Sequence, residues 1–265
     1  TNLTLGGITA GSATALSPNS TFNFANVASA VLNLNSNNSE IGGLAGGGAA
    51  GGNVTLGAAN LTVGRNNSTT TYTGIISGTG NLTKVGNGVL TLAGNNSFTG
   101  TLTVGTLDRN LGGVTVQGTT AITGATVNGG TLTFQPSATN NTAKTIAGNV
   151  TANGGTFSFG TNANGVNTIS GNLAASNAAV VGFSGATSTG AVTGATTLSN
   201  ASAMTVANIG RFTGLVSVND QASLALTSGT ATNTFTGGLT VGAAAALTLA
   251  GHNTFGAAVT LNNSG

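Results

Sequence analysis

Short apolar–small–apolar triplets punctuate this chain along its length. Val54-Thr55-Leu56, Leu61-Thr62-Val63, Leu90-Thr91-Leu92, Leu102-Thr103-Val104, Val114-Thr115-Val116 and Leu132-Thr133-Phe134 come first. Phe157-Ser158-Phe159, Val216-Ser217-Val218, Leu224-Ala225-Leu226, Leu239-Thr240-Val241, Leu247-Thr248-Leu249 and Val259-Thr260-Leu261 follow. A period of two reads as β-strand, with the outer side chains pointing one way and the central one the other. Gly, Asn and Ser fill the intervals and supply corners and left-handed backbone positions. The triplets start roughly 7 to 20 residues apart, in or near the range expected of an all-β chain. Glu, Lys, Gln and Arg are scarce, and Gly, Thr and Asn disfavour helix interiors. The Ala-rich piece from Gly242 to Leu247 is too short to hold a helix alone.

Two architectures place short strands between Gly/Asn corners: an antiparallel sandwich, and a parallel β-solenoid in which each coil lays its strands on those of the coil before. Internal repetition favours the solenoid. Leu90-Thr-Leu-Ala-Gly-Asn-Asn-Ser-Phe98 returns as Leu247-Thr-Leu-Ala-Gly-His-Asn-Thr-Phe255, and Asn96-Ser-Phe-Thr-Gly-Thr-Leu-Thr-Val104 as Asn233-Thr-Phe-Thr-Gly-Gly-Leu-Thr-Val241. Phe134, Phe157, Phe183, Phe212, Phe235 and Phe255 lie 23, 26, 29, 23 and 20 residues apart, as one stacked ring per coil would require. Coils of roughly 20 to 26 residues give about 10 to 13 coils. The expectation is one continuous, all-β, right-handed parallel solenoid over 1–265, with 31–107 the clearest repeat, 108–230 degenerate and 231–265 partial repeats.

Composition sharpens this. Only eight of 265 residues are charged, while 45 are Gly, 48 Thr and 34 Asn. The five cations, Arg65, Lys84, Arg109, Lys144 and Arg211, are scattered. Nucleic-acid binding draws on clustered cations, so it is not expected. There is no Cys, which removes disulfides and thiol chemistry. No apolar run is long enough for a membrane-spanning helix. The chain opens on Thr1 without a basic-plus-apolar leader, so we read it as processed or cut from something longer.

Residues 31 to 107 resemble the autotransporter-associated β-strand repeat of bacterial surface passenger domains. The resemblance runs through Val31-Leu-Asn-Leu34, Ile41-Gly-Gly-Leu44, Gly52-Asn-Val-Thr-Leu56 and Tyr72-Thr-Gly-Ile-Ile-Ser-Gly-Thr-Gly80. It continues in Asn81-Leu-Thr-Lys-Val-Gly-Asn-Gly-Val-Leu-Thr-Leu-Ala-Gly94 and closes with Asn95-Asn-Ser-Phe-Thr-Gly-Thr-Leu-Thr-Val104. It implies a right-handed parallel β-helix, export across the outer membrane and display at the bacterial surface or outside the cell. It implies no catalytic activity.

Chemistry is sparse. Glu40, Asp108 and Asp220 are the only carboxylates, and glycoside cleavage needs two of them close together. Asp108-Arg109 reads as an exposed turn pair. The lone His252 stands where the earlier repeat has Asn95, a turn position, and no Gly-x-Ser-x-Gly elbow accompanies it. RTX and EF-hand calcium loops need far more acids. Gly42 to Gly52 lacks the Gly-Lys-Ser/Thr ending of a phosphate loop and reads as a corner. Asn-x-Ser/Thr triplets at Asn2, Asn19, Asn53, Asn60 and Asn81 arise readily in so Asn-rich a chain. Asn is expected instead to form amide ladders between coils. We therefore expect no catalytic, cofactor-binding or metal-binding residues and no cofactor.

The expected function is a non-enzymatic structural or adhesive surface β-helix, including as a self-assembling filament or lattice subunit. Its expected partners are copies of itself, a host or neighbouring cell surface, or glycans. Two alternatives stand beside it: a carbohydrate-active β-helix, and an ice-binding solenoid suggested by the triplets Thr71-Tyr-Thr73, Thr101-Leu-Thr103, Thr131-Leu-Thr133 and Thr234-Phe-Thr236.

Overall fold

In the computed structural model, residues 7–106, 112–136, 142–160, 165–184 and 188–262 are described. Asn2, Asp108 and Arg109 lie outside them. The described chain is all-β, with short strands stacked in parallel in about 10 coils to make a β-solenoid. The antiparallel sandwich is excluded by these registers. Two compact units are distinguished: Thr1–Gly124 with Asn128–Leu132, and Ala125–Val127 with Thr133–Gly265.

The first unit has three strand-bearing faces. One carries Ile8–Thr9, Val31–Asn33, Asn53–Thr55 and Ile76–Ser77. A second carries Ser39–Ile41, Leu61–Val63, Leu82–Lys84 and Thr101–Val104, and the third Thr21–Phe24, Gly43–Gly46, Thr70–Tyr72, Val89–Leu92 and Gly113–Val116. Within this unit Leu61, Leu82 and Leu102 stand in register, as do Thr62, Thr83 and Thr103. The leucines are fully buried and the threonines half-buried on the outer side, so the alternation legible in each triplet becomes an inward and an outward column. Burying each such Leu contributes about 1.5–3 kcal/mol.

The second unit repeats the plan. Its first face holds Thr145–Ile146, Gly165–Ile169, Ser188–Val192, Ile209–Phe212, Thr232–Phe235 and His252–Phe255. The second holds Val150–Asn153, Leu173–Ser176, Thr196–Leu198, Val216–Val218, Leu239–Val241 and Val259–Leu261. The third holds Thr156–Phe159, Val180–Phe183, Ala203–Val206, Ser223–Leu226 and Ala246–Leu249. The in-register column Val150, Leu173, Thr196, Val216, Leu239 and Val259 advances by 23, 23, 20, 23 and 20 residues. These steps fall within the coil length read from the repeats.

Three expectations are refined. The phenylalanines do not form one column. Phe159 packs on Phe134, Phe157 and Phe183 at 5.3, 5.2 and 5.2 Å on the third face. Phe212, Phe235 and Phe255 stack on the first face at 5.0 and 5.2 Å, with rings nearly parallel. Spacing alone cannot separate these stacks, because every face recurs with the same coil period.

Secondly, Gly42 to Gly52 is only partly a corner. Gly43–Gly46 is a strand in register with Thr21–Phe24 and buries Leu44, and the turn proper is closed by a bridge between Gly48 and Gly51. Gly46 has φ +77°, and a Cβ there would meet the Phe24 carbonyl oxygen at 2.3 Å, so close coil-to-coil approach demands glycine.

Thirdly, the asparagines more often bond neighbouring backbone than one another. Outer Asn side chains accept from an N–H one coil ahead: Asn53 from Ile75, Asn81 from Thr101, Asn149 from Asn172 and Asn172 from Ala195, at 2.8–2.9 Å. Amide-to-amide rungs also occur, at 2.7 Å between Asn60 and Asn81 and 2.5 Å between Asn153 and Asn177. The buried asparagines reach the opposite way. Asn96, Asn167 and Asn233 accept from Ile76, Lys144 and Gly210, one coil behind, at 2.9, 3.0 and 2.8 Å. Each thereby satisfies the backbone N–H of a buried residue.

Candidate functional site

The charged and titratable side chains fall into two groups, those on outer positions and those drawn into the coil stack. Glu40 lies on the outer column beside Thr62, one coil before Arg65, and accepts a hydrogen bond from the Arg65 Nε. That hydrogen bond, with the carboxylate charge, raises the Arg65 pKa above its ordinary value. Both side chains are substantially solvent-accessible, so the pair contributes little to stability. Asp220 is exposed at a corner of the second unit, with φ +53°, and accepts from the Asn200 N–H at 3.3 Å. His252 is exposed on the last coil and stands beside Thr232 in register. Each of these two carboxylates thus serves a local contact. Among the described residues, no three His, Asp or Glu gather where a metal ion could be held.

The inward group is what triplet reading missed. Lys84 occupies the inward column between Val63 and Val104 and is 1% exposed. Its Nζ donates to the carbonyls of Val85 at 2.5 Å and Gly86 at 3.3 Å. Burial lowers its pKa from 10.5 to about 8. Gly64, at φ +116°, leaves the room: a Cβ there would lie 2.7 Å from the Lys84 Nζ. The signal was present in the sequence, since Leu82-Thr83-Lys84 is an apolar–Thr–x triplet whose third position faces inward. Lys144 is also buried, and burial lowers its pKa. Tyr72 is fully buried, edge-on to Phe24, and donates to the Gly52 carbonyl at 2.7 Å, with burial raising its pKa.

The outer faces carry hydroxyls and amides. Thr71, Thr73, Thr101, Thr131 and Thr236 are exposed, and Thr103, Thr133 and Thr234 half-buried, so the Thr-x-Thr pairs flank inward residues as read. Shallow grooves lie on these surfaces. One in the first unit, about 360 Å³, is lined by Asn38, Glu40, Asn60 and Thr62 among others. One in the second, about 410 Å³, is lined by Asn200, Asp220 and Gln221 with two alanines. Another of about 360 Å³ lies over Arg211. Such surfaces offer hydrogen bonds to a ligand that lies along them.

Comparison with known proteins finds one informative similarity. Over 85 residues, 32% of this chain, the sequence is 44% identical to the adhesin BmaC autotransporter of Brucella suis biovar 1 (strain 1330). The matched segment is 2% of that protein, so the chain spans a small part of its length. No family model matches the chain. No solved structure matches it.

Proposed function

We propose that this chain is a stretch of the extracellular shaft of a bacterial surface adhesin, non-enzymatic and presented outside the outer membrane. The observation that carries the reading is the β-solenoid of in-register coils whose outer columns are mostly small and polar, as in Thr62, Thr83 and Thr103. The similarity to an autotransporter adhesin supports it. A solenoid of repeated coils offers a long, uniform outer surface, and each coil rests chiefly on its neighbours. The test is display of the chain on a non-adherent bacterium through a passenger scaffold. Surface protease accessibility and attachment to cultured cells above the empty scaffold are expected. A displayed chain that promotes no attachment to cells or to coated surfaces would sink the adhesive reading.

A further inference from the structure

We propose that the groove over Arg211, on the first face of the second unit, binds an acidic sugar residue, with the guanidinium holding its carboxylate or sulfate. This rests on the adhesive reading and names a ligand class for it. The strand Ile209–Phe212 is in register with Thr232–Phe235 so that Arg211 stands beside Thr234. Alternation places Ile209, Arg211 and Thr213 outward on one coil and Thr232, Thr234 and Thr236 outward on the next. Coils sit about 4.8 Å apart and alternate residues about 6.6 Å apart along a strand. One cation therefore stands in a grid of hydroxyls, with Ile209 as its apolar wall.

Three observations choose an acidic saccharide. First, the Arg211 side chain is exposed and, among the described residues, has neither a hydrogen bond nor an ion pair, whereas the Arg65 side chain is held by Glu40. The described residues lining this groove include no carboxylate, while those lining the grooves at Glu40 and Asp220 each include one. An anion is thus favoured here and disfavoured there. Secondly, the guanidinium is a planar fork of donors that meets a carboxylate or sulfate with paired hydrogen bonds. Thirdly, each threonine hydroxyl donates once and accepts twice, which suits a ligand made of hydroxyls. Ile209 offers an apolar surface to the C–H face of a sugar ring. The groove, about 360 Å³ and open, fits one or two sugar residues of a longer chain lying across it. Display of many copies on one cell then multiplies a weak single contact.

The test titrates the purified chain with oligogalacturonate, sialyllactose, a heparin-derived sulfated oligosaccharide, neutral lactose and an oligoglutamate peptide, followed by ¹H–¹⁵N NMR. Binding of at least one acidic oligosaccharide is expected, with shifts centred on residues 209–213 and 232–236. Arg211→Gln should weaken it about 10-fold or more, since a hydrogen bond to a charged group is lost. Thr234→Val should weaken it several-fold and Arg65→Gln leave it unchanged. Which of the first three probes binds separates carboxylate from sulfate. No acidic oligosaccharide binding at millimolar concentration overturns the proposal, as does binding untouched by Arg211→Gln, or equal binding of oligoglutamate. Attachment of displaying bacteria that persists in Arg211→Gln, with no acidic-sugar binding in solution, removes the groove and keeps the adhesive reading. Acidic-sugar binding lost in Arg211→Gln supports the groove even where displaying bacteria fail to attach.

Discussion

Lys84 gives the sharpest quantitative prediction, because a nearly charge-free chain has placed an ammonium in an apolar column. With Lys84 1% exposed and held at a pKa of about 8 against 10.5 unperturbed, the folded state binds fewer protons than the unfolded state between those values. Stability therefore rises with pH across that interval, by up to about 1.4 kcal/mol per pH unit and about 3 kcal/mol in full. Equivalently, the buried charge costs stability at neutral pH that deprotonation relieves. Lys144, also lowered by burial, acts in the same direction. Tyr72, raised by burial, opposes both above its ordinary value of 10.0, where the unfolded state loses that proton first. The clean interval is thus pH 8 to 10.

The perturbation is Lys84→Met, which keeps the length of the side chain, removes the charge and leaves the Val85 and Gly86 carbonyls without their donor. Unfolding by urea at fixed temperature from pH 7 to 10 should give a rising curve for the native sequence and a flatter one for the variant. Repeat arrays can unfold in parts, so a direct titration accompanies it. The chain has two lysines, Lys84 and Lys144, and the variant assigns their ¹³Cε signals. A Lys84 midpoint near 8 is expected. A midpoint above 10, or parallel stability curves for the two proteins, would refute the burial of this ammonium.

Thr196 stands in the inward column between Leu173 and Val216 with its Oγ1 buried and unpartnered, so Thr196→Val should stabilise by about 1 kcal/mol; a lower urea midpoint would show that the hydroxyl has a partner. Phe235 is stacked between Phe212 and Phe255, and Phe235→Ala should cost about 3–5 kcal/mol, with a loss well under 1 kcal/mol counting against the stack. Asn233→Ala removes the acceptor of the buried Gly210 N–H and should cost about 1–3 kcal/mol, read as faster amide exchange at Gly210 before any global change. Leu92→Asp buries an unpaired carboxylate between Tyr72 and Val116 and should abolish cooperative melting; an unchanged melt would reverse the inward assignment there.

The inward alternation was legible because a strand's period of two is local: Leu61 and Val63, or Leu102 and Val104, must share a side whatever lies beside them. The coil length was legible for a related reason, since repeated motifs recur at the distance the chain needs to return to the same face. The shortage of charge also has a reason in the sequence. A charge repeated at one coil position would meet its like on the next strand, whereas Thr62, Thr83 and Thr103 stack without that repulsion. The buried asparagines were half legible. Asn96 and Asn233 each sit two residues before a buried Phe, and the same alternation that turns Phe98 and Phe235 inward turns them inward too.

What the tertiary structure decided is which face each strand joins and what stands one coil away. The six evenly spaced phenylalanines divide into two stacks, Lys84 falls between Val63 and Val104, and Arg211 falls beside Thr234 in a groove with no carboxylate among its described lining residues. Each is a relation between residues about 20 or more positions apart. It depends on corner lengths that vary from coil to coil, and only the closed register of the stacked strands fixes it. The sequence by itself determined a chain of short strands that must stack on copies of their own pattern; the register between coils determined where its few charges lie.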